Sequence, residues 1–79
     1  MTSDEIKSII RQEVSNVAFR EVGDADRLLD DRILDSVGAV DLAVALEGAF
    51  GVSVPFVDIN AQHFASVESI AAYIQLKRG

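Results

Sequence analysis

The chain contains no cysteine. That excludes disulfide staples, thiolate metal sites and any thiol chemistry of its own, and leaves the fold to an apolar core. A chain without thiols is expected in a reducing, cytoplasmic compartment. Histidine occurs once, as His63, and proline once, as Pro55. No apolar run approaches the roughly 20 residues that a membrane helix needs. Met1-Thr2-Ser3-Asp4-Glu5 lacks the basic and then apolar pattern of a secretion signal, so neither export nor membrane insertion is expected. The length, 79 residues, suits a single domain, 1–79, with one core and no room for an enclosed substrate cleft besides. An enzyme acting alone is therefore not expected.

What is present describes a folded protein. Hydrophobic residues make up 49% of the chain and charged residues 25%, too apolar for a disordered acidic tail. The net charge of −6 is unevenly placed. Residues 1–20 and 51–79 each balance acids against bases. The stretch 21–50 carries Glu21, Asp24, Asp26, Asp30, Asp31, Asp35, Asp41 and Glu47 against Arg27 and Arg32, and so holds the whole excess. Such a field repels nucleic acid and attracts basic protein surfaces.

Periodicity predicts an all-α protein of three main helices and one short one, with a long first loop. Ile6, Ile9, Ile10, Val14 and Val17 form one stripe of a first helix, Ser3–Ala18, opened by a Thr2/Glu5 capping box. The period fails over 19–35, where Leu28, Leu29 and Ile33 are expected to pin a long loop. A second helix, Ser36–Phe50, is expected to start at an Asp35 cap and to end on Gly51 in a left-handed conformation. Pro55 keeps the residue before it out of a helix. A short helix is expected near 58–63, with His63 exposed. A last helix over 66–77 starts at Ser66 and turns Val67, Ile70, Ala71 and Ile74 inward; Lys77 and Arg78 suit the negative end of its dipole.

The second helix has two apolar faces. At about 100° per residue, Ala39, Leu42, Ala43, Leu46, Ala49 and Phe50 gather into a core stripe. Val37, Val40 and Val44 cluster on another side, with Ser36, Asp41, Glu47 and Gly48. Either the preceding loop or the last helix covers these valines, or they form a docking surface in which apolar contact supplies affinity and the acids steer basic partners.

Ser36 follows Asp35 where the acidic loop enters this helix, a place whose unpaired amides and dipole favour a phosphate ester. Serine there is also a common cap. The run Leu34-Asp35-Ser36-Val37-Gly38-Ala39-Val40-Asp41-Leu42, continuing through Ala45, Leu46, Glu47 and Phe50, resembles the acyl carrier protein family with its aminoacyl and peptidyl relatives. Gly51-Val52-Ser53-Val54-Pro55 and the stretch 66–74 resemble that family's next loop and last helix. Val37 departs from the family's commonest leucine and Gly38 from a usual polar residue, which makes the motif more similar to D-alanyl and stand-alone specialised carriers. The resemblance implies a non-catalytic four-helix carrier in which Ser36, beside Asp35, receives 4′-phosphopantetheine from coenzyme A through a magnesium-using phosphopantetheinyl transferase. It implies that the arm's thiol holds fatty acyl, polyketide, alanyl or other aminoacyl cargo as a thioester. The implied partners are acyl or aminoacyl ligases and synthases with basic docking patches, which meet a monomer on Val37, Val40, Asp41, Val44 and Glu47.

Other readings fit less well. Ser36 lacks the Gly-x-Ser-x-Gly elbow of a hydrolase, and His63 lies in a distant segment. The acids of 24–35 do not form a calcium loop, because Leu29 stands where that loop needs glycine and Leu28 replaces an oxygen ligand. A carrier-like interaction module that is never modified predicts the same bundle, and chemistry at Ser36 separates the two.

Overall fold

A computed structural model describes residues 1–78; Gly79, the last residue of the expected domain, lies outside the described residues. It has three α-helices, α1 (Ser3–Ala18), α2 (Ser36–Phe50) and α3 (Val67–Arg78), with a 3-10 turn at Phe56–Asp58. This is the expected all-α carrier-type bundle, with α1 packed against both α2 and α3.

In α1, the Thr2 hydroxyl accepts from the Glu5 amide at 3.1 Å and the Glu5 carboxylate accepts from the Thr2 amide at 2.8 Å. These bonds from Thr2 hold the Glu5 carboxyl below its ordinary pKa. Ile6, Ile10 and Val14 are buried, while Ile9 and Val17 pack on the edge of the core. The helix stops at Phe19, which takes a left-handed φ of 59° and donates to the Ser15 carbonyl.

The loop over 19–35 is strapped down. Leu28 and Leu34 are buried, and Leu29 and Ile33 pack part-way onto the core. The Leu28 amide donates to the Ala65 carbonyl at 2.8 Å, the Glu68 amide to the Asp24 carbonyl at 3.1 Å, and the Leu34 amide to the Leu28 carbonyl at 2.8 Å. The Arg11 guanidinium pairs with the Asp24 carboxylate, tying the loop to α1 as well. Satisfied backbone groups and two sealed leucines make this long connection a fixed part of the molecule.

Ala39, Leu42, Ala43, Leu46 and Phe50 of α2 face the core as expected, but Ala49 is exposed. At about 100° per residue Ala49 falls at the margin of the stripe and Phe50 nearer its centre, so Phe50 is buried and Ala49 turns out to solvent. Gly51 ends the helix with φ 65° and donates to the Glu47 carbonyl.

The short helix expected near 58–63 is instead the 3-10 turn Phe56–Asp58 followed by hydrogen-bonded turns. Asn60 divides the stretch: its side chain donates to the Val57 carbonyl, closing the 3-10 turn, and accepts from the His63 amide, both at 3.0 Å, capping the single turn that follows. Ser66 caps α3 by accepting from the Ser69 amide at 3.1 Å. Val67, Ile70, Ala71 and Ile74 are buried, and so is Tyr73. His63, expected to be exposed, is half-buried with its ring 4.6 Å from that of Tyr73.

The Tyr73 hydroxyl donates to Asp58 Oδ2 at 2.6 Å. Burial, then this bond and the charges of Asp58 and Glu47, push the phenol up to about 12. The folded state thus holds the proton more tightly than the unfolded chain, whose tyrosine titrates near about 10. The contribution to stability is complete below pH ~10 and is lost as pH rises towards ~12. Tyr73 is the one tyrosine and the chain has no tryptophan, so phenolate absorbance reports this group alone. It should titrate close to pH 12 in the folded protein and near 10 in denaturant; equal midpoints would contradict the assignment.

Candidate functional site

Ser36 is the first residue of α2 and is exposed. Its neighbour does the capping: Asp35, in an extended conformation at φ −96°, accepts from the Gly38 amide at 2.7 Å through Oδ1, and its carbonyl takes the first helical bond from Ala39. The Ser36 hydroxyl is therefore relieved of the duty that a serine at a helix start usually has. The entry is set from behind, because Leu34 is buried one residue before the cap. Gly38 gives the cap room. A Cβ there would meet Asp35 Oδ1 at 3.2 Å and the side chains of Leu34 and Val17 at 3.5 Å. The departure from a polar residue at this position thus has a local cause.

Neither the loop nor α3 covers the second face of α2. Val37 is 67% exposed, Val44 63% and Val40 36%, and Asp41 is exposed beside them. Glu47 is placed differently from the other expected face residues. It is half-buried, and its Oε2 accepts from the Val54 amide at 2.8 Å, so this carboxylate anchors the chain after α2. Gly48 continues the exposed side, and a Cβ added there would meet nothing within 4 Å.

Two residues of this surface were missed in the sequence. Phe56 is 76% exposed and Val57 is similarly open. Across from Phe56, a hollow of about 340 Å³ is bounded by Ser36, Val37, Val40 and Asp41. Next to it a largely apolar groove of about 300 Å³ runs from Ser36 between α2 and the 56–64 segment, lined by Leu34, Ala39, Val40, Ile59 and Phe64. An apolar pair directly after the only proline was the available signal, but it matches neither a helical nor a strand period. A separate polar hollow between α1 and residues 21–22 holds Arg11, already paired with Asp24, and lies apart from Ser36.

An exposed hydroxyl at a helix N-terminus, freed by a neighbouring cap and opening on an apolar groove, fits a long phosphate-linked group. Residues 4–74 match the family model described as the phosphopantetheine attachment site. The chain belongs to the phosphopantetheine-binding carrier family. It is 37% identical to a D-alanyl carrier protein from Lactococcus lactis subsp. lactis over 95% of this chain and 94% of that protein. It is 30% identical to an acyl carrier protein from Helicobacter hepaticus over 98% and 97% of the two chains, and 35% identical to one from Thermotoga maritima over 94% and 88%. Like its family, the chain is a carrier that holds acyl or aminoacyl groups on a covalently attached 4′-phosphopantetheine and passes them to partner enzymes. The arm supplies the thiol that the chain lacks. Members of the family are not themselves catalytic. Among the described residues, no helix is long and apolar enough to cross a membrane.

Because Asp35 closes the first turn of α2, Asp35→Ala should lower stability by about 1 kcal/mol in urea unfolding. A change below a few tenths of that would show that another group caps the helix.

Proposed function

We propose that residues 1–79 form one carrier unit and that Ser36 is its attachment point, with Asp35 holding the helix start in place. The single observation that carries this reading is the division of labour between the two side chains: Asp35 takes the Gly38 amide, and the exposed Ser36 hydroxyl remains open to an incoming enzyme. A phosphopantetheinyl transferase, using magnesium, would move the phosphopantetheinyl group of coenzyme A onto Ser36 Oγ; the hydroxyl proton is lost, the pyrophosphate bond breaks and adenosine 3′,5′-bisphosphate leaves. The N-terminal amides of α2 favour the resulting phosphodiester.

Val37, Val40, Asp41 and Val44 form the docking face, and Glu47 supports it from its bond to Val54. Partners are the transferase and an acyl or aminoacyl ligase or synthase with a basic patch, acting on a monomer in the cytoplasm. Of the three relatives named above, the D-alanyl carrier shares the most residues with this chain, which makes D-alanine the first cargo to offer.

Incubation with coenzyme A and a promiscuous transferase should raise the intact mass by one phosphopantetheinyl group, and Ser36→Ala should abolish the gain. A native chain left unmodified by several transferases would instead identify an unmodified interaction module. Asp41→Lys should lower the transferase kcat/KM several-fold at low ionic strength and leave the melting temperature nearly unchanged. The deficit should shrink as salt screens the encounter. A deficit indifferent to salt would remove steering from the account.

A further inference from the structure

The wall of the groove opposite Ser36 is not a regular helix, and its internal bonds shape it without fastening it to the bundle. Asp58 and Ile59 donate to the carbonyls of Pro55 and Phe56, and Phe64 to that of Asn60. The ends of the segment are secured by Glu47, which holds the Val54 amide, and by the fully buried Phe64. Between those ends Ile59 packs part-way onto the core, and the polar fastening is made by one side chain of α3. Tyr73 donates to Asp58 at 2.6 Å, and its ring packs against that of His63 at 4.6 Å with a tilt of 39° between the planes. Lys77, one turn further along α3, lies 5.8 Å from the same ring. The stretch bracketed by Asp58 and His63 supplies Ile59, Asn60 and Ala61 to the groove, and Phe56 stands two residues before it. The segment is thus held by its back on Tyr73 and faces Ser36 with its front.

We propose that Tyr73 is a positioning residue for the Ser36 groove, setting through Asp58 and His63 where Phe56 and residues 59–61 stand opposite the serine. Tyr73 is buried, so a visiting enzyme does not touch it, and any effect on docking is transmitted through this wall. The raised phenol pKa agrees with a well-seated hydroxyl.

The test compares Tyr73→Phe, which keeps the ring and removes the hydroxyl, with Asp58→Asn, whose amide oxygen can still accept, and with Ile70→Val, a general weakening of the same helix. In the unmodified chain, Tyr73→Phe should speed amide exchange over 56–64 about ten-fold or more, from the usual worth of a hydrogen bond to a charged acceptor. Exchange in α1 should stay as it was, and Asp58→Asn should preserve most of the protection. With a transferase and coenzyme A, Tyr73→Phe should raise KM several-fold at unchanged kcat, and Ile70→Val should not. An exchange increase spread evenly over the chain, no increase at all, or the same KM in Tyr73→Phe and Ile70→Val would overturn the proposal. The second measurement rests on Ser36 as the attachment point. If even the native chain is not modified, that reading fails, and the exchange pattern alone decides the role of Tyr73.

Discussion

One carboxylate holding one amide organises the working end of this molecule. Asp35 accepts from Gly38 at 2.7 Å, and this bond decides where α2 begins. Its place is fixed from behind, because Leu34 is sealed in the core just before it and the Leu34 amide is spent on the Leu28 carbonyl. Gly38 leaves the carboxylate unhindered, since a Cβ there would meet Asp35 Oδ1 at 3.2 Å. Once the cap is made by Asp35, the next residue enters the helix with its side chain outward and no capping to do. A phosphate linked at that point, as proposed, would meet the amides left unpaired at the helix start.

The three helices divide the remaining tasks. α1 and α3 spend their apolar stripes on the core, whereas α2 buries one stripe and leaves Val37, Val40 and Val44 in solvent. The exposed parts of these valines add little to folding, so their place on a helix headed by Ser36 accords with a surface open to other proteins. The acidic stretch is likewise divided between duties. Asp24 pairs with Arg11 and Asp31 with Arg27 to steady the long loop. Glu47 is engaged by the Val54 amide, and Asp41 stands exposed beside the uncovered valines. A small domain thereby supports a covalent arm without enclosing a site, since the reactive sulfur travels on the arm and the catalytic groups belong to partners.

Much of this was legible in the residues. Local chemistry set the helix limits: near-neighbour side chains take backbone amides in the Thr2/Glu5 box and the Asp35 and Ser66 caps, and Gly51 ends α2 through a left-handed backbone that glycine adopts freely. The 3.6-residue period placed most of the core, failing at Ala49, which lies at the margin of the buried stripe. It failed more fully between Pro55 and Phe64, because Asn60 bonds both backward and forward and no period describes such turns.

The sequence by itself determined the three helices, the two-faced character of α2 and the family motif around Ser36, since each depends on residues within a few positions of one another. Tertiary structure alone decided that Val37 and Val44 are uncovered, that Glu47 is half committed to Val54, and that Phe56 and the segment behind it form a wall beside the serine. It also brought Tyr73 to Asp58 and His63. Those outcomes depend on which surfaces meet when distant segments pack, and pairings between residues far apart along the chain leave no periodic trace in it.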